Sequence, residues 1–227
     1  NRNPAADVAK DQGATNARDR NLSAVEIKSL WEASFSEGFS FEVGACVRLL
    51  ISCGQRVQET LRIEGVDIDL EAKVWKMPAH KTKGRKHSHS IPLPAVIIPT
   101  IRKLIEKHGS GHLFPSRTGS QEATIHHRSI NQSIKRWNEA NEAAEAFQTR
   151  DLRRTWKSRT HDAGIERFMR DLIQQHAKND TGSKNYDRAD YLPEMTAAMT
   201  KWSAWLGVVL SGATPPKSGQ MLVKSVA

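Results

Sequence analysis

The 227-residue chain carries 34 Lys and Arg against 25 Asp and Glu, a net charge of +9 that favours a polyanion as partner. Its length fits one large domain with extensions. The longest apolar stretches, Val47 to Ile51 and Trp205 to Leu210, are too short to cross a bilayer, and with two cysteines and no secretory signal the chain does not read as a membrane or disulfide-stapled protein.

In chain order, residues 1–20 show no periodicity and read as a linker. Order is expected from Leu22, where Ser23 and Glu26 have capping-box spacing ahead of the apolar stripe Ile27, Leu30 and Trp31. A second apolar helix is expected over Phe41 to Ser52, with Cys46 and Cys53 on one face and too far apart for a disulfide. After Gly54, a short helix is expected to carry Arg56 and Glu59 one turn apart. Three strand-like runs follow, Gly65 to Asp69, Lys73 to Met77 and His87 to Leu93, which predict a small antiparallel sheet. The last hairpin holds an acid-free basic run, with Lys83 expected at its tip.

From Pro94 the pattern is helical until His108 and Gly109, and a loop follows through Phe114, Pro115, Ser116 and Arg117. Further helices are expected at 129–143, 151–163, 166–175 and 193–211. The last carries an apolar stripe of Met195, Met199, Trp202, Leu206 and Val209. Residues 212–227 read as a frayed tail. The chain is thus read as mainly α with a small three-stranded antiparallel β-sheet, an α+β fold. The six tryptophans fall mostly on apolar faces and are expected in the core.

The chemistry lies in an ordered set: Arg56, then Arg150 and Arg153, His176 and Tyr186. An arginine fork holds two nonbridging phosphate oxygens at once and keeps its charge near neutrality. Two such forks can neutralise charge on a pentacovalent phosphorus while a phenol attacks it. The set therefore points to cleavage of a DNA strand.

Five segments in this order resemble the tyrosine recombinase (phage integrase) family over about residues 22–206. Gly54-Gln55-Arg56-Val57-Gln58-Glu59-Thr60-Leu61 is similar to its first arginine box. Thr82-Lys83-Gly84 with His89-Ser90-Ile91-Pro92-Leu93 is similar to its lysine hairpin, and Leu113-Phe114-Pro115 to the loop after the next helix. Arg150-Asp151-Leu152-Arg153-Arg154-Thr155 resembles its second arginine box, and His176, Tyr186 and Asp190-Tyr191-Leu192-Pro193-Glu194 resemble the end of the domain.

The resemblance implies a catalytic domain over 21–211 that cleaves and rejoins DNA through a 3′-phosphotyrosine, for integration or excision of a phage or mobile element. It also implies that residues 1–20 lead from an amino-terminal DNA-binding domain. Tyr186 would be the nucleophile, Arg56 and Arg153 the phosphate clamp, Lys83 the proton donor to the departing 5′-oxygen, and His176 a hydrogen-bond donor to the phosphate. Glu59 would hold the cationic side chains, while Lys81, Arg85, Lys86 and Arg154 would contact DNA. No metal or other cofactor is implied. The expected partners are double-stranded attachment sites in the cytoplasm, with a monomer free in solution, a tetramer on paired sites, and accessory DNA-bending or directionality factors.

Two positions depart from the family pattern. Arg150 stands where the family most often has histidine, and the interval from His176 to Tyr186 is one residue longer than usual. Lys81 is an alternative proton donor and Tyr191 an alternative nucleophile. His80, His87, His89, His126 and His127 lack a Cys or carboxylate at ligand spacing and read as surface or DNA-facing groups. Two other readings share the scaffold: a DNA-binding protein that no longer cleaves, and a relaxing enzyme of the type IB topoisomerase kind.

Overall fold

The computed structural model describes residues 20–83, 87–116, 124–141, 145–175 and 191–216. Its helices are α1 (Ala24–Ala33), α2 (Phe41–Cys53), α3 (Val57–Leu61), α4 (Ile98–His108), α5 (His127–Ala140), α6 (Thr149–Asp162), α7 (Arg167–Ile173) and α8 (Leu192–Leu210). Between α3 and α4 lies an antiparallel sheet in the order β1 (Ile68–Asp69), β2 (Val74–Met77), β3 (His89–Pro92). The mainly helical fold with a three-stranded sheet is the one expected.

The core is built around α2, whose residues from Glu42 to Cys53 are all buried. A helix apolar nearly all round must be surrounded, and α2 packs against α1, α3, α4, α5 and α6. α1 starts at the expected capping box: Glu26 N–H donates to Ser23 Oγ at 3.2 Å, and Ser23 N–H donates to Glu26 Oε2 at 2.8 Å. The stripe of α8 is buried against its own chain, over α1, β3 and α7. There Trp202 Nε1–H and Trp156 Nε1–H both donate to the Ser52 carbonyl at the end of α2, at 2.9 and 3.2 Å. All six tryptophans are buried, as expected from their apolar faces.

The sheet is shorter than its sequence pattern. Gly65–Asp67 form a 3₁₀ turn instead of the first half of a strand. The reason is competition for amides: Gly65 N–H donates to Gly111 O at 2.8 Å and Val66 N–H to Ser110 O at 3.1 Å, leaving neither for β2. β2 pairs with β3 in the register Val74↔Pro92 to Met77↔His89. The β2–β3 connection spans residues 78–88 and contains a second 3₁₀ turn, Ala79–Lys81, with Lys83 midway along it in sequence.

Helix α5 starts two residues before the expected 129, because His126 Nδ1 accepts the Arg128 N–H at 3.2 Å and so caps the helix. Helix α6 starts at Thr149 because Asp151 Oδ2 accepts the Gln148 N–H at 2.9 Å. No described helix is long and apolar enough to cross a membrane.

Candidate active site

The first piece of the site is the turn from α2 into α3. Gly54 ends α2 with a left-handed φ of 62°, and a Cβ there would meet the Trp156 ring at 2.4 Å. Only glycine fits both demands. Two residues later Arg56 is the N-cap of α3 and not, as expected, inside the helix. Glu59, at the third helical position and 3 % exposed, reaches back: its Oε2 accepts the Arg56 backbone N–H at 3.2 Å, and its Oε1 accepts Arg56 Nη1–H at 2.9 Å. A single buried carboxylate thus fixes both the backbone and the guanidinium of Arg56.

The same Oε1 accepts the Lys83 backbone N–H at 3.1 Å, which ties the β2–β3 loop to α3. Three expected site residues, Arg56, Glu59 and Lys83, are therefore joined through one carboxylate.

Arg153 enters from the second turn of α6. Its Nη1–H donates to Gly54 O at 2.8 Å and its Nη2–H donates to Gln174 O. Among the described residues no carboxylate lies within ion-pair distance of it. Burial, then the repulsion of Arg56, lowers its pKa from 12.5 to about 10 against the opposing pull of Glu59, so it stays charged at neutral pH. Arg150 lies one turn earlier on the same face of α6 and is exposed. Asp151, fully buried, pairs through Oδ1 with Arg154 Nη1 at 3.1 Å.

Sequence reasoning missed the residues that hold Arg153. Gln174 Nε2–H groups donate to Gly54 O and to Arg153 O, both at 3.0 Å, and Gln174 is 1 % exposed. Gln55 Nε2 donates to Ile173 O at 2.9 Å, and His89 Nε2 lies at 2.9 Å from the same carbonyl. Together Gln55, His89 and Arg153 cap the carbonyls at the end of α7. His89 is a correction to its reading as a surface group. Its ring is largely buried, and burial first, then Arg153 and Arg56, lower its pKa against the Ile173 bond and Glu59. Gln55 lies inside the first arginine box and His89 inside the lysine hairpin, whereas no motif marks Gln174.

Lys81 is the second correction. It was read as a DNA contact and an alternative proton donor, but it is 7 % exposed, with Nζ at 2.5 Å from Asp67 Oδ2 and 3.0 Å from Glu64 Oε2. Its charge is paired with these two acids, of which Asp67 is buried and Glu64 partly exposed. His176, Tyr186, Arg85 and Lys86 lie outside the described residues. Tyr191 stands at the entrance of α8 with its ring edge-on to Phe168 at 5.5 Å. Beside α3, an open groove of about 340 Å³ is lined by Gln58, Leu61, Arg62, Ile125, His126 and His127. Among the described residues no group of three His, Cys, Asp or Glu side chains could hold a metal ion.

Residues 20–191 match the profile of the phage integrase family. Among solved structures, the chain resembles the integrase of mycobacterium phage Brujita, with a TM-score of 0.61 at 17 % identity, over 82 % of this chain and 58 % of that one. It also resembles the Tn1549 transposon integrase in complex with circular intermediate DNA, with a TM-score of 0.59 at 16 % identity, over 82 % and 66 %. A third likeness is to XerA recombinase, with a TM-score of 0.60 at 18 % identity, over 81 % and 66 %. The chain therefore spans about three-fifths to two-thirds of the length of these structures. Against curated protein sequences no match is found.

Proposed function

The chain belongs to the phage integrase family, and from that premise we propose that it is the catalytic domain of a site-specific tyrosine recombinase serving a phage or mobile element. In this reading the Tyr186 oxygen attacks the scissile phosphorus, the bond from phosphorus to the 5′-oxygen breaks, and a 3′-phosphotyrosine forms. Lys83 gives a proton to the departing 5′-oxygen. Arg56 and Arg153 hold the nonbridging oxygens, supplying charge that a divalent cation supplies in other phosphoryl transfers. His176 donates a hydrogen bond to the same phosphate, and Arg150 replaces the usual histidine with a permanent cation that binds phosphate but moves no proton near pH 7. Because the energy of the broken phosphodiester is kept in the protein–DNA bond, a 5′-hydroxyl reseals the strand without a nucleotide cofactor.

The observation that carries this reading is the carboxylate of Glu59. It joins Arg56 to the Lys83 loop, with Arg153 close enough to feel both charges. Residues brought together from α3, the β2–β3 loop and α6 form a cationic site in a fold shared with integrases. The partner is double-stranded DNA in the cytoplasm, bound as paired attachment sites by four copies, with accessory bending or directionality factors. Arg154, Arg85 and Lys86, together with Gln58, Arg62, His126 and His127 around the groove, are its expected contacts.

The test is covalent capture on a nicked suicide duplex drawn from a randomised pool by selection with the native chain. Native protein is expected to become covalently attached to the 3′ end, while Tyr186→Phe binds the selected duplex with similar affinity and gives no adduct. Capture by the Phe variant, lost only when Tyr191 is also changed, moves the nucleophile to Tyr191. Binding without any capture by the native chain leaves a DNA-binding scaffold that does not cleave.

A further inference from the structure

The strongest unexplained feature outside the phosphate site is the buried charge cluster below the β2–β3 loop. Lys81 Nζ sits between Asp67 and Glu64, at 2.5 and 3.0 Å, with its own side chain and that of Asp67 almost wholly buried. The cluster is anchored to the 3₁₀ turn after α3: Asp67 Oδ2 also accepts the Glu64 backbone N–H at 2.9 Å. Glu64 extends it to His112 Nδ1 at 3.3 Å. Buried ion pairs add little net stability over apolar residues of the same size, so such a cluster calls for another role.

That role follows from what lies on either side of Lys81 in the chain. The Lys81 N–H donates to Pro78 O at 3.0 Å, closing the 3₁₀ turn. The Thr82 hydroxyl, 3 % exposed, lies between the carbonyls of Ala79 and His87 at 2.9 and 3.1 Å, which closes the base of the loop. The next residue is Lys83, whose N–H reaches Glu59. Side-chain anchors on two successive residues therefore set where the Lys83 backbone stands, and its own amide completes the set.

We infer that Lys81 is a positioning residue for Lys83: its ion pairs with Asp67 and Glu64 pin the loop so that the Lys83 amine is delivered to the leaving 5′-oxygen. A lysine has four rotatable bonds and a mobile loop would dilute it further, so fixing the backbone one residue from a tight anchor raises its effective concentration at the phosphate. The inference rests on Lys83 as the proton donor.

The experiment compares cleavage by the full chain of the selected suicide duplex with cleavage of the same duplex carrying sulfur in place of the scissile 5′-oxygen, since a thiolate leaves without a proton. Lys81→Met is expected to cleave the oxygen duplex on the order of 10–10²-fold more slowly, to cleave the sulfur duplex within about threefold of native, and to bind DNA unchanged. Lys81→Arg keeps the ion pairs and is expected to recover most of the rate. Lys81→Met combined with Lys83→Ala is expected to be no slower than Lys83→Ala alone, because both changes act on one step. Equal loss on both duplexes, or native speed of Lys81→Met on oxygen, overturns the inference. If Lys83→Ala cleaves the oxygen duplex at native speed while Lys81→Met needs sulfur, Lys81 is itself the donor and the inference is also overturned. If Lys83→Ala is slow on both duplexes, the reading of Lys83 as donor fails, and this inference with it; if Lys83→Ala is rescued by sulfur and Lys81→Met is not, only the inference falls. Should Lys81→Met not fold, Lys81→Met with Asp67→Asn removes both buried charges and carries the same comparison.

Discussion

Arg56 and Arg153 stand within electrostatic reach of each other but are held by different chemistry: Arg56 by the Glu59 carboxylate, Arg153 by the backbone carbonyls of Gly54 and Gln174. A carboxylate fixes direction and neutralises charge. A carbonyl fixes direction and leaves the charge in place. Arg153 is therefore a largely buried cation without a carboxylate partner among the described residues, and burying a charge in that way is costly. Arg56, a little over a quarter exposed, shares its charge with Glu59 before any ligand is present. The α2–α3 turn organises geometry, while the α6–α7 corner holds unspent charge.

The largest effect should follow from exchanging the two cations for lysine, which keeps charge and removes the fork. Arg153→Lys is expected to slow covalent capture by on the order of 10³–10⁴-fold and Arg56→Lys by about 10²-fold, measured on the selected suicide duplex with binding followed separately. Equal losses, or a larger loss at Arg56, would break the distinction between carbonyl-held and carboxylate-held arginine.

A smaller effect is expected at Gln174, which supports the Arg153 cradle without touching the phosphate in the reading above. Gln174→Ala removes hydrogen bonds to Gly54 O and Arg153 O and should lower unfolding free energy by about 1–3 kcal/mol in denaturant titration. Capture should slow with it, and the same change should leave the Arg56–Glu59 pair intact. If stability is unchanged, the cradle is held by the backbone of α7 alone.

The smallest effect concerns His89. Its folded pKa lies below the ordinary value of about 6.5, chiefly through burial, so the unfolded chain binds a proton at a pH where the folded chain does not. Stability is then fully present above about 6.5 and falls as pH drops toward the folded pKa. Thermal melting between pH 7.5 and 5.5 should show this decline in the native chain and a shallower one in His89→Gln. Parallel curves would mean that another group carries the acid sensitivity, and that the α7 cap does not depend on a neutral ring.

What could be read in advance divides along physical lines. Helix α1 was legible because its capping box and apolar stripe are local, and α2 because a run apolar on all sides has few places to go. The first half of the first strand misled because its amides are claimed by Ser110 and Gly111, more than forty residues away. The start of α5 misled because a histidine caps it, a residue outside the usual capping set. Within the site, Arg56, Glu59, Lys83 and Arg153 were legible as residues in an ordered motif. Their partners in the fold were not, since Lys81 and Lys83 are the same residue type two positions apart and only burial and ion pairing separate them.

The sequence by itself determined the family, the mainly helical fold with its small sheet, and the identity of the cations, because these depend on periodicity, local caps and motif order. Only the tertiary structure decided which cation meets which acceptor. Glu59 is shared between Arg56 and Lys83, Lys81 is withdrawn to Asp67 and Glu64, and Arg153 is left on carbonyls of residues 54 and 174. Such pairings depend on distances across the fold and on the cost of burying each charge, and neither quantity is written in the local order of residues.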